Sequence, residues 1–195
     1  SGARPAPRLR ILASRARSGT NATGDLIRIG FEDVRWVGEL YGGFPSAAAV
    51  PGIDAEFPWL RTLADARDAG LTPQSPGWQA TSDGFRDKVN GQVVELTKFM
   101  ISARPEVPVV KLLNGQLTAG AVGALLEGFR PDLLVLRRRN LFSYISWLRA
   151  QGRDAWIDVE TTEHQIEFDA DDVDRYVRLG DQWHELLASH ARELD

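Results

Sequence analysis

The chain has 195 residues, 43% of them hydrophobic, no cysteine and a formal net charge of −4. That length suffices for one domain with a real core, and the ordinary charge and apolar content exclude wholesale disorder. The missing cysteine excludes disulfides, thiolate zinc sites and cysteine nucleophiles, and no apolar run approaches the ~18–20 residues of a membrane span.

Residues 1–7, opening on Ser1-Gly2, carry no signal-type apolar stretch and read as a tag remnant or arm ahead of a single domain. Leu9–Ala13 reads as a short buried strand, followed by a small polar turn over Ser14–Thr20. Thr20 or Asn21 then caps a helix through about Gly30. Val34–Val37 is a second strand, ending at Gly38-Glu39. Residues 41–53 and 70–82, rich in Gly, Pro, Ser and Ala, read as loops around a helix over Ala55–Ala69. Asp83–Ala103 reads as one long amphipathic helix, because Phe85, Val89, Val93, Leu96 and Met100 recur at three- and four-residue steps. Val107–Lys111 is a third strand, Leu117–Gly128 a helix, Leu133–Leu136 a fourth strand, and Asn140–Ala150 a helix. Asp154–Gln165 is irregular, and an acid-led helix runs from Asp169 to the C-terminus. Apolar strands alternating with helices predict an α/β domain, a parallel sheet covered on both faces, with ligands beyond the carboxyl ends of the strands.

The charges are unevenly placed. Twenty of the 23 basic residues are arginine, and eleven of those fall in residues 4–17 and 130–153 with a single acid, Asp132, among them. Residues 154–195 hold 13 acids against 3 arginines. Two basic islands in an acidic chain suit a compact anionic ligand better than a polyanion, so no nucleic-acid partner is expected; the plainer reading is a solvated surface.

At the strand ends, Arg17-Ser18-Gly19-Thr20-Asn21 lies between a strand and a helix. There a glycine admits a phosphate and successive N–H groups cradle it. Gly19–Gly24 has phosphate-loop glycine spacing, but Asp25 stands where the lysine of a triphosphatase belongs. The fourth strand delivers Arg137-Arg138-Arg139, with Ser146 eight residues after Arg138, so an arginine and a hydroxyl flank one helix. Lys111, one of three lysines, and Glu39, next to Gly38, stand at the expected ends of two other strands. Asn114 and Gln116 follow Lys111 within reach of a ligand. The plainer readings are a snorkelling strand terminus for Lys111 and a surface acid for Glu39. Tyr41, Phe44, Trp59, Trp78 and Trp156 are candidates for stacking on an acceptor, with core packing as the commoner fate.

Arg17–Asn21 after an apolar strand resembles the 5′-phosphosulfate loop of sulfotransferases, and Arg138 with Ser146 resembles their 3′-phosphate motif. Gly38-Glu39-Leu40 and the Arg-Arg-Arg-Asn-Leu run at 137–141 are most similar to the bacterial carbohydrate sulfotransferases of the nodulation-factor and trehalose group. The resemblance covers roughly residues 8–190. It implies a three-layer α/β/α fold of the phosphate-loop nucleotide-hydrolase type. The implied donor is 3′-phosphoadenosine 5′-phosphosulfate, held by Arg17, Ser18, Gly19, Thr20, Asn21, Arg138 and Ser146. It further implies sulfuryl transfer to a carbohydrate or other hydroxyl acceptor without a metal, with Glu39 as base and Arg17 and Lys111 stabilising charge; the missing cysteines fit a reducing, cytoplasmic location near that donor. The chain departs from the family in three places. Ala16 replaces a common proline. Leu112-Leu113 stand where cytosolic members place a histidine after the lysine. The chain also stops where relatives often continue into a further strand and helix. An alternative is a catalytically degenerate nucleotide-binding or interaction domain of the same fold.

Overall fold

The computed structural model describes residues 9–15, 20–45, 49–72, 75–137, 142–146, 148 and 169–193. Strand β1 (Arg10–Ser14) is followed by helix α1 (Thr20–Gly30) and strand β2 (Val34–Glu39). After a 3-10 turn at Leu40–Gly42 comes the two-residue strand β3 (Phe44–Pro45). Helices α2 (Ile53–Glu56), α3 (Thr62–Asp68), α4 (Pro76–Gly91) and α5 (Val93–Ser102) precede β4 (Val107–Leu113). Helix α6 (Ala119–Phe129), β5 (Asp132–Leu136), a helical stretch at 142–146 and the C-terminal helix α7 (Ala170–Glu193) complete the described chain.

The five strands lie in the order β3-β2-β4-β1-β5. The four longer ones are parallel and only β3 runs antiparallel, against β2. The protein is therefore α/β with a parallel central sheet, compatible with a three-layer arrangement. Alternation along the strands divides its two faces. Leu9 just before β1, Ile11 and Ala13 of β1, Val37 of β2, and Val110 and Leu112 of β4 join the principal core with Leu96, Met100, Val122, Leu125 and Trp183. On the other face, α1 packs on β2: a Cβ at Gly24 would lie 2.5 Å from the Trp36 ring, so this glycine is what lets the helix sit down. That contact accounts structurally for one of the two glycines of the phosphate-loop spacing.

Several boundaries differ from the sequence reading. Pro58 splits the expected 55–69 helix into α2, a 3-10 turn at Pro58–Arg61 and α3. Ser75, expected in a loop, caps α4 by accepting from the Trp78 N–H at 3.4 Å, with Pro76 in the first turn, so the helix begins before Asp83. The long helix over 83–103 breaks at Gly91-Gln92 into α4 and α5. Strand β4 continues to Leu113, so Lys111 lies inside it rather than at its end.

Arg35, near the amino end of β2, is buried and acts as a crosslink. Its Nη1 donates to the Ala49 carbonyl and its Nη2 to the Met100 carbonyl at 2.8 Å, tying strand to loop and to α5. Tyr41, an expected acceptor contact, is core: it is 1% exposed and its hydroxyl pairs with Thr97 Oγ1 at 2.9 Å. Burial pushes its pKa well above the usual tyrosine value. Trp59 packs edge-on against Phe57 and Phe85, with ring centroids 5.9 and 5.6 Å apart, and Trp78 lies against the same core. Phe44 contributes its backbone to β3; its side chain, like Trp156, lies outside the described residues.

Candidate functional site

β1 and β4 are neighbours, yet the chain leaves them in opposite directions: β1 connects across β4 to β2, and β4 connects across β1 to β5. Such a divergence opens a crevice beyond the carboxyl ends of the two strands. The Asn114 N–H donates to the Ser14 carbonyl at 2.9 Å and closes the floor of that edge.

On the β2 side of the edge the strand register makes an ion pair. Trp36 pairs with Val109, but Gly38, not Val37, pairs with Val110, so β2 carries one extra residue. Gly38 absorbs the irregularity with φ +80°, a conformation that side-chain-bearing residues rarely adopt. One further step along this shifted register brings Glu39 beside Lys111; without the extra residue the glycine would stand there. Lys111 Nζ donates to Glu39 Oε1 at 2.5 Å. The lysine side chain is 7% exposed and the glutamate 27%, so the acid faces outward and the cation is sunk behind it. Gln116 completes the group: its Nε2 donates to Glu39 Oε2 at 3.1 Å while its Oε1 accepts from the Leu113 N–H at 2.9 Å. Glu39 and Lys111, singled out separately in the sequence, are thus brought together. The part played by Gln116 was not legible, because it depends on the turn at Gly115, where φ is +86°.

On the β1–β5 side the structure shows where three arginines of the basic islands go. Arg10 and Asp132 pair at 3.5 Å at the amino ends of β1 and β5, away from this edge. Arg15, at the carboxyl end of β1, is buried and turned toward α7. Its guanidinium carbon stands 3.4 Å from the centroid of the Tyr176 ring, and Nη2 donates to the Tyr176 carbonyl. Burial lowers its pKa, against the opposing charges of Tyr176 and Asp181. Arg137 pairs with Asp181 of α7 at 3.5 Å. The Asn114 side-chain amide donates to the Leu179 carbonyl at 3.4 Å, so its side chain serves α7 while its backbone closes the edge. The acidic C-terminal helix therefore takes up two arginines of the islands, Arg15 and Arg137.

Thr20 and Asn21 stand at the start of α1 and Ser146 is half-buried in the stretch at 142–146. Arg17, Ser18, Gly19 and Arg138 lie outside the described residues, as do the side chains of Thr20 and Asn21. Among the described residues no helix is long and apolar enough to cross a membrane. Compared with known proteins, the chain matches no family model, no curated protein and no solved structure.

Proposed function

We propose that this protein is a sulfotransferase that moves a sulfuryl group from 3′-phosphoadenosine 5′-phosphosulfate to a hydroxyl of a carbohydrate or other small-molecule acceptor. The observation that carries the reading is the Glu39–Lys111 pair: a carboxylate about a quarter exposed against a buried ammonium, at the carboxyl edge of a parallel sheet and beside β1, which leads into α1. The interior position of β1, with its loop leading into α1, supports the finer assignment to the phosphate-loop nucleotide-hydrolase type. On this reading Arg17, Ser18, Gly19, Thr20 and Asn21 hold the 5′-phosphosulfate, and Arg138 and Ser146 the 3′-phosphate. The donor is a ready-activated group, so no metal is invoked. The absence of cysteine accords with work in the reducing cytoplasm.

Glu39 accepts the proton of the acceptor hydroxyl as that oxygen bonds to sulfur and the bond from sulfur to the phosphate oxygen breaks in line. Such base catalysis contributes typically ~10²–10⁴-fold. The positive charge of Lys111, fixed beside Glu39, offsets charge developing on the sulfuryl and departing oxygens together with Arg17. The Leu112-Leu113 sequence after Lys111, in place of a histidine, favours a second reading, a nucleotide-binding domain without turnover; sulfated product separates the two.

The test is a thermal melt with 3′-phosphoadenosine 5′-phosphate. At ~100 times its Kd a ligand of the folded state adds about 2.7 kcal/mol, a rise of several degrees for a chain of this size. The rise should vanish in Arg138→Ala. A response to ATP with magnesium, and none to the 3′-phosphate nucleotide, overturns the reading.

A further inference from the structure

We infer that Gln116 is the positioning residue of the Glu39 carboxylate and that Gly42 is a glycine in order to leave room for it. This rests on the reading of Glu39 as the base. Two observations carry it. First, the two oxygens of Glu39 are divided: Oε1 faces Lys111 at 2.5 Å and Oε2 faces Gln116 at 3.1 Å. A carboxylate held at both oxygens has one orientation, whereas one held only by a lysine can swing about that contact. Gln116 is fixed in turn, because its Oε1 accepts from the Leu113 N–H at 2.9 Å. The amide therefore bridges the end of β4 to the end of β2. It can point only its N–H at Glu39, since its oxygen is already used.

Second, a Cβ at Gly42 would collide with Gln116 Nε2 and stand 3.2 Å from Glu39 Oε2. Gly42 is not among the glycines with positive φ, whereas its neighbour Gly43 has φ +83°. The backbone would accept alanine at 42; the atoms its methyl would displace are those of the amide and the carboxylate. The 3-10 turn after β2 thus presses a bare backbone against the acid and amide, and any side chain there pushes Gln116 off its mark. Nothing in the chemistry of the base alone requires a glutamine or a glycine at these two positions.

The experiment is a double-mutant cycle with sulfated product as readout. Losing a hydrogen bond to a charged group corresponds to about tenfold or more, so Gln116→Ala and Gly42→Ala should each lower kcat roughly tenfold with the acceptor KM little changed. The double variant should fall no further than either single one, because both act by removing the same amide. In a Glu39→Gln background Gln116→Ala should have no further effect. Independent multiplicative losses, or a Gln116→Ala loss that persists in Glu39→Gln, overturn the inference. A second readout is free of turnover: the side-chain amide resonance of Gln116 should move in Glu39→Ala and in Gly42→Ala, and an unmoved resonance also overturns it. If the wild-type chain binds no 3′-phosphate nucleotide and yields no product while that resonance still responds to Glu39, the sulfotransferase reading fails and the carboxylate clamp stands.

Discussion

On the β2–β4 side of the carboxyl edge, an acid meets a cation through strand register. On the β1–β5 side, two arginines meet a helix that comes from the far end of the chain. The first cluster is short-range in space and open: Glu39 keeps about a quarter of its side-chain surface in water. The second is closed over Arg15, whose ring contact, carbonyl bond and burial leave it no approach for a ligand. Abundant positive charge marked the second region in the sequence, yet the described arginines there are taken up by α7. A single lysine marked the first, and it is the buried cation that faces an outward carboxylate.

The sharpest way to break this contrast is Glu39→Gln. Turnover should fall by ~10²–10⁴-fold if the acid is the base, while the melt with 3′-phosphoadenosine 5′-phosphate is unchanged. Unimpaired turnover would reduce the β2–β4 cluster to an ion pair of structural interest. Stability sharpens the same point. Glu39→Ala leaves Lys111 buried without its carboxylate, and breaking a buried pair costs ~3–5 kcal/mol. Because Glu39 is partly solvated, about 2 kcal/mol is expected by urea denaturation. Lys111→Met removes the buried charge itself and should cost less than Glu39→Ala; the reverse order would mean that the lysine is not the group in need of a partner.

The β1–β5 side has its own test, of smaller size. Gly180 lies in the middle of α7, where alanine normally gains up to ~1 kcal/mol over glycine. Here a Cβ would collide with Arg15 Nη1 and come within 2.6 Å of its Cζ and 2.9 Å of its Cδ. Gly180→Ala should therefore destabilise by about 1–2 kcal/mol, the loss of a cation–π contact and a charged hydrogen bond outweighing the propensity gain. A stabilised variant would show that Arg15 has room to move aside, and that the helix does not depend on it.

The sheet was legible because its strands are apolar runs with clear ends, and β1, β2 and β5 fall within a residue or two of their expected places. The helical region between β2 and β4 was less so. Its breaks at Pro58 and Gly91-Gln92 interrupt a hydrophobic periodicity that continues across them. Glu39 and Lys111 could be picked singly as polar residues at the margins of apolar strands. Their meeting could not, since it needs the extra residue of β2 that only the pairing with β4 reveals. The partners of the three arginine crosslinks at 15, 35 and 137 were not legible for the opposite reason. An arginine read along the chain is a surface charge, and only tertiary carbonyls, a ring and an acid show what it is for.

The finest distinction between the two regions is their response to pH. His184 sits on α7 in the second region, and its pKa is held below the ordinary 6.5, chiefly by burial and then by the charges of Arg137 and Arg15; Asp181 and the Gly180 carbonyl oppose them only in part. Below about pH 6.5 the unfolded chain takes up a proton that the folded chain refuses. Stability should fall as the pH drops through that range and stop falling, on this account, once the histidine protonates in the folded state. His184→Gln removes this group from the balance while leaving the carboxylates elsewhere in place. The drop in urea midpoint between pH 7.5 and pH 5.5 should then be smaller in His184→Gln than in the wild type. An equal drop in both would mean that the two guanidiniums and the burial do not bear on the imidazole. The second region would then be held by its helix contacts and by the Arg137–Asp181 pair, with no share from His184.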